Sequence, residues 1–157
     1  MIEMTHDVEE ELFLPLSCLF QLHNLTLESP GKLQRLPNNL GLALHELREL
    51  NITHARELVE LPATVVELHK LTRLEIQHAP TFSSLPENLG ALSRLRDVWL
   101  TFCPSLNYLP DSFTRLSCIF LLQLESSAIR PLSPGFAQLT TLRQLNLSGC
   151  VQLQALP

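Results

Sequence analysis

A phrase of apolar residues returns every 24 residues through the middle of the chain. It reads Leu47, Leu50, Ile52, Ala55, Leu58, Leu61, Pro62, Val65 and Leu68, then Leu71, Leu74, Ile76, Ala79, Phe82, Leu85, Pro86, Leu89 and Leu92, with every position in phase. A third copy, Leu95, Val98, Leu100, Cys103, Leu106, Leu109, Pro110, Phe113 and Leu116, follows without a slip. Self-similarity at such a period marks a solenoid, because each unit is one supersecondary element that buries its apolar face only against copies of itself.

Flanking units follow the same phrase with one slip each. Ile119, Leu122, Leu124, Ser127, Ile129, Leu132, Phe136 and Leu139 reach Leu142 one residue early, with a deletion just after Ser127. Leu22, Leu25, Leu27, Pro30, Leu33, Leu36, Pro37 and Leu40 reach Leu47 one residue late, with the insertion in Gly41 to Glu46. Both slips fall off the strand phrase, where loops tolerate them. The last unit runs through Leu142, Leu145, Leu147, Cys150, Leu153, Leu156 and Pro157. One domain is expected: residues 1–21 as an N-terminal capping segment, then residues 22–157 as five full units and a truncated sixth. Lacking its helical half, the sixth is expected to need a C-terminal continuation or a partner over Leu145, Leu147, Leu153 and Leu156.

Local periodicity says what each unit builds. Buried and exposed positions alternate within LxxLxL at the period of a β-strand, whereas Leu61 to Leu71 has apolar residues at spacings of three and four, which suit helical turns. A coil inserts about seven apolar side chains, worth ~10 to 20 kcal/mol in all. Ordering its backbone costs as much or more, at ~1 to 2 kcal/mol per residue. No coil is expected to fold alone.

The full phrase, LxxLxLxxCxxLxxLPxxIxxLxxL, resembles the leucine-rich repeat over Leu22 to Pro157. The resemblance implies an α/β horseshoe solenoid with a parallel concave sheet and short helical or 3-10 convex segments. Within the family, the LPxxIxxLxxL form, the small ninth residues and phrases such as Leu142-Arg-Gln-Leu-Asn-Leu-Ser-Gly-Cys150 are similar to two intracellular groups. One is the repeat domain of type III secreted effectors of plant-pathogenic bacteria, particularly those joining the repeats to an E3 ubiquitin ligase module. The other is the repeat region of plant intracellular immune receptors. The short, regular coils and compact cap lean toward the effectors, in which the repeats recognise a host protein and catalysis resides in a separate C-terminal module.

Cysteine and histidine usage adds no chemistry. Cys103 and Cys150 occupy the ninth position of the phrase, shared with Pro30, Ala55, Ala79 and Ser127, so a small side chain turned into the core suffices there. Cys18 and Cys118 share neither phase nor a CxxC spacing, so no disulfide framework or zinc site is implied. Unpaired thiols suit a reducing compartment. Asn24 to Thr26, Asn51 to Thr53 and Asn146 to Ser148 match the glycan-acceptor triplet, but all lie within strand phrases that generate such triplets readily. His54 and His78 stand one period apart, as do His45 and His69, with no third ligand in phase, so they read as solvated surface residues. His6, Asp7 and Glu9 read as a solvated terminus. No catalytic motif, cofactor loop or metal set is expected, and the chain reads as no enzyme.

The segment ahead of Leu22 carries Glu9, Glu10 and Glu11, then an apolar stretch interrupted by Pro15 and Gln21. It is too short for a membrane span, and its acidic lead is the wrong sign for a signal peptide. An intracellular protein is expected, secreted into a host cell if the effector resemblance holds.

With positions one, four and six inward, positions three, five and seven form the concave face. On it stand Glu49, Asn51 and Thr53; Arg73, Glu75 and Gln77; Asp97, Trp99 and Thr101; and Leu121, Gln123 and Glu125. The flanking rungs add Asn24, Thr26 and Glu28, and Gln144, Asn146 and Ser148. Five acids face one arginine, in keeping with a net charge of −5. Such a face disfavours nucleic-acid phosphate and favours a protein with a basic or mixed-charge patch. Trp99, with Phe102 at position eight and Leu121 on the next rung, forms an apolar island in a polar rim, the anatomy of an interface hot spot.

Overall fold

The computed structural model describes residues 2–5, 16–130 and 132–157. The acidic run Glu9 to Glu11 and the His6, Asp7, Glu9 cluster lie outside them. Seven parallel strands follow one another in chain order across a single sheet: β1 (Ile2–Thr5), β2 (Asn24–Glu28), β3 (Glu49–Thr53), β4 (Arg73–Gln77), β5 (Asp97–Thr101), β6 (Leu121–Gln123) and β7 (Gln144–Asn146). Strand β1 comes from ahead of Leu22 and pairs Ile2 with Leu25 and Met4 with Leu27.

Each strand keeps the phase of the repeat. Leu50 lies beside Leu74, Leu74 beside Val98, and Val98 beside Leu122, all fully buried. Between them Asn51, Glu75, Trp99 and Gln123 stand in one column on the opposite face. The alternation follows from the two-residue period of a strand, which cannot shift by one without emptying the core.

The return limb of each coil is a single tight turn. Ala63–Glu67, Leu89–Ala91, Asp111–Arg115 and Pro134–Gln138 are 3-10 helices, and Val65, Leu89, Phe113 and Phe136 turn inward from them. Pro62 and Pro110 stand just ahead of two of these turns in extended conformation, with φ −64° and −62°, the angle their rings prefer. The first return limb differs: Leu40–Ala43 is an α-helix, α1, closed by the Leu44 amide donating to the Leu40 carbonyl at 2.9 Å. In the next coil the equivalent bond runs from Leu68 back only to Val65, at 3.1 Å. An α turn spans one more residue than a 3-10 turn. The single insertion in Gly41 to Glu46 is thus absorbed where the convex backbone winds, leaving the strands in register.

Coils are also tied by side chains that bond to backbone. Thr72 donates to the Arg48 carbonyl at 3.1 Å, Thr81 to the Arg56 and Leu58 carbonyls at 2.9 Å, Ser105 to the Pro80 carbonyl at 2.6 Å, and Thr141 to the Ile119 carbonyl at 2.7 Å. Ala55 and Ala79 fill the ninth position by small size alone, and three other coils add a hydrogen bond there. Ser127 Oγ donates to the Leu100 carbonyl at 2.7 Å, Cys150 Sγ to the Leu124 carbonyl at 3.0 Å, and Cys103 Sγ reaches the Ile76 carbonyl at 3.7 Å. All three acceptors are position-six carbonyls of the preceding coil. Gly41 and Gly90 mark the closest approach between return limbs: a Cβ on either would run into the Thr64 or Ser112 carbonyl of the next coil. No described helix is long and apolar enough to cross a membrane.

Candidate binding site

The strand ladder brings the expected concave residues into three columns. Glu49, Arg73, Asp97 and Leu121 stand in register, as do Asn51, Glu75, Trp99 and Gln123, and Thr53, Gln77 and Thr101. Most are half-buried, packed against their neighbours in the column. Thr101 departs from the pattern, being only 6% exposed, and offers little to a partner. Beyond β6, Glu125 accepts from Asn146 Nδ2 at 3.4 Å.

At the centre one cation serves two neighbours. Arg73 donates to Glu75 Oε2 from Nη2 at 2.6 Å and from Nε at 3.2 Å, while its guanidinium carbon sits 4.1 Å from the centroid of the Trp99 ring. A guanidinium over an indole is held by the ring quadrupole, worth ~0.5 to 1 kcal/mol where water is near. Trp99 therefore presents a ring with one face already covered by a cation, itself neutralised by Glu75. Glu28 and Glu49 make no ion pair among the described residues, and Asp97 lies 4.0 Å from Arg96 Nε. Asn51 Nδ2 donates to Thr26 Oγ1 at 3.5 Å, while its Oδ1 is buried without a hydrogen-bond partner.

The apolar island divides. Leu121 stays on the sheet beside Asp97. Phe102 leaves it, because position eight turns the chain out of the strand. Ser29, His54, His78, Phe102 and Ser126 all have φ between 51° and 56°, and Gly149 has φ 72° in the same place. In this left-handed conformation each amide extends the ladder. His54 N–H donates to the Gln77 carbonyl at 2.9 Å, His78 to Thr101 at 3.0 Å, Phe102 to Glu125 at 2.8 Å and Ser126 to Ser148 at 2.8 Å. The side chains are thrown outward along the edge where the strands end, one rung apart. Rungs ~4.7 to 4.9 Å apart stack planar rings. The His54 and His78 rings lie 4.7 Å apart at 8°, and those of His78 and Phe102 4.5 Å apart at 6°.

Parallel rings point their in-plane nitrogen lone pairs along parallel lines, so the His54 and His78 pair does not converge on an ion. Among the described residues no group of three His, Cys, Asp or Glu is placed to hold a metal. The ring stack instead floors a groove of about 510 Å³. Pro80, Pro104 and Arg56, the position-ten residues of those coils, form its rim, and Ser126 closes one end. The signal for this site lay in the column Ser29, His54, His78, Phe102, Ser126, Gly149: a place that takes glycine in one coil is one where the backbone turns.

Cys103 is buried, and burial pushes its thiol up from the ordinary 9.0 to about 12. Cys150 is raised by the same cause. Cys18 and Cys118 are exposed, and all four are free thiols. Glu46 is held below the usual carboxylate range by the Lys70 ammonium, whose Nζ lies 2.5 Å from Oε1.

A parallel sheet of 24-residue coils, with leucines inside and short 3-10 turns outside, defines a leucine-rich repeat fold. Its fold resembles the leucine-rich repeat domain of the type III effector XopL, with a TM-score of 0.82 and 26% identity over 88% of this chain. The chain spans about half of that domain, covering 48% of it. The repeat ectodomain of the receptor kinase SOBIR1 from Arabidopsis thaliana superposes with a TM-score of 0.67, at 24% identity over 82% of this chain and 70% of that one. The Arabidopsis receptor kinase HAESA, solved with the peptide hormone IDA and the co-receptor SERK1, gives 0.52 at 24% identity over 78% of this chain and 24% of that one. No protein-family model and no curated protein matches the chain.

Proposed function

We propose that the chain is a protein-interaction module that binds a protein through its concave face, with Trp99 and the Arg73–Glu75 pair at the centre of the contact. The observation that carries this reading is the unbroken register of outward side chains from β2 to β7, most of them polar, which offers a wide, stiff, electronegative surface. Stiffness matters because ordering costs are met on folding rather than on binding. The partner that fits presents a basic or mixed-charge patch, and neither nucleic acid nor a membrane suits the charge of the face.

The likeness to the XopL repeat domain supports a place among type III effector repeat domains, acting inside a host cell on a host protein. Four free thiols are consistent with that compartment. HAESA shows the repeat fold holding a peptide hormone and a co-receptor, which supports a protein ligand in general. In the same reading the chain has no ligase activity of its own; as the recognition arm of an E3 ubiquitin ligase it would need a catalytic module beyond its sequence. A plant immune-receptor repeat fragment would use the same face.

The test is positional crosslinking. A photoreactive residue at Gln77 or Gln123, both on the concave face, should capture one saturable partner in a host extract, weakened by Glu49→Lys and Asp97→Lys. Equal capture from Glu87 on the exposed return limb, or indifference to both charge reversals, would overturn the reading.

A further inference from the structure

The edge groove is built at a cost that the fold does not require. A bulky residue is rarely found in the left-handed region, and holding one there costs ~1 kcal/mol or more. Phe102 nevertheless sits at φ 55° and is 40% exposed, where Ser126 and Gly149 serve the following coils. The ring gains its stack on His78 and leaves its other face turned toward Ser126, a rung that carries no ring.

The make-up of the lining marks the groove a second time. On a chain of net charge −5 it holds His54, His78 and Arg56 but no carboxylate. Arg56 is exposed and, like most of the arginines, makes no ion pair among the described residues, so its guanidinium is open to an acid from outside.

We propose that this groove is a second binding site, for an extended peptide segment of a protein partner that carries one aromatic and one acidic side chain. The aromatic ring lies over Ser126 against the free face of Phe102, continuing the stack by one step. The acid reaches Arg56 at the opposite end. The two observed ring steps of 4.7 and 4.5 Å, with one further rung of ~4.8 Å, place Ser126 about 14 Å from His54 along the edge. An extended chain covers that span in about four residues at ~3.3 Å each. The ligand class is thus a peptide with its aromatic and acidic residues about four positions apart, crossing the rungs past Pro80 and Pro104. The site lies off the concave sheet, so it acts alongside the proposed concave contact and does not depend on it.

The probes are two capped peptides in which tyrosine and glutamate are separated by three serines, in either order, titrated into the full chain and followed by amide NMR shifts. One order should saturate, with shifts at Phe102, Ser126 and Arg56. Phe102→Ser and Arg56→Ala install residues that the same positions carry at Ser126 and Ala128, so the coils should fold as before. Each should weaken the peptide ~10-fold, the scale of one lost stack or charged hydrogen bond. Ser126→Phe fills the slot and should abolish the tyrosine contribution. Failure of both peptides to shift those residues would overturn the proposal, as would equal binding by a peptide with tyrosine and glutamate replaced by proline and serine. Undiminished affinity in Phe102→Ser would do the same.

Discussion

Replacing Trp99 by alanine separates folding from recognition. Its neighbours in sequence, Val98 and Leu100, are fully buried and hold β5 in the core whatever stands between them. The stability lost is therefore the Arg73 contact at 4.1 Å, ~0.5 to 1 kcal/mol, and the shelter of a half-buried ring, ~1 kcal/mol. Arg73 keeps its two bonds to Glu75. Urea unfolding should show a loss of about 2 kcal/mol at an unchanged m-value. Affinity for the partner captured at Gln123 should fall by ~2 kcal/mol or more, a factor of about 30, as for a central interface aromatic. Trp99→Phe keeps a ring face for Arg73 and should recover much of the stability but less of the affinity, since the indole edge is lost. A Trp99→Ala chain that fails to fold, or one that folds and binds as tightly as before, would refute the reasoning.

Other substitutions test the packing between coils. Gly90→Ala drives a Cβ into the Ser112 carbonyl and should cost ~1 to 3 kcal/mol by urea titration, with no loss if the return limbs are looser than described. Ser127→Ala removes the donor to the Leu100 carbonyl and should cost ~1 to 3 kcal/mol, whereas Ser127→Cys should recover part of it, as Cys150 makes the same bond; equal effects would break the assignment. Cys18 and Cys118 should react with a disulfide reagent at pH 8 while Cys103 waits for unfolding, and rapid native labelling of Cys103 would contradict its burial. The folded Cys103 thiol binds its proton more tightly than the unfolded one, so its contribution to stability is whole below about pH 9 and lost as pH rises toward 12. A melting temperature that holds across that window in wild type, yet differs from Cys103→Ala, would be the wrong outcome.

Hydropathy carried the strand phase because burial alternates residue by residue: Asn51, Glu75 and Trp99 fall in one column on that ground alone. The slip before Leu47 was legible as an insertion, though not as a change from 3-10 to α winding, since both windings bury a leucine on the same side. Position eight escaped because periodicity records which side a residue faces and says nothing of φ. His54, His78 and Phe102 look like ordinary surface residues until the backbone turns them outward together. The Arg73 bridge between Glu75 and Trp99 was equally hidden: it depends on the path of a long side chain across two rungs. Thr101 is a reminder that a residue on the open face can still be covered by its neighbours.

The bonds by which Thr72, Thr81, Ser105, Ser127 and Thr141 hold the coil before them all end on main-chain carbonyls. A carbonyl is the same in every coil, so none of these ties specifies which coil its neighbour must be. As far as these ties go, stacked units are interchangeable parts. A gene segment encoding one coil can be duplicated, deleted or traded with these ties kept, provided close approaches such as that of Gly90 to Ser112 are matched, and the exposed columns lengthen or shorten with it. Such a scaffold lets the choice of partner diverge quickly while the architecture stays put.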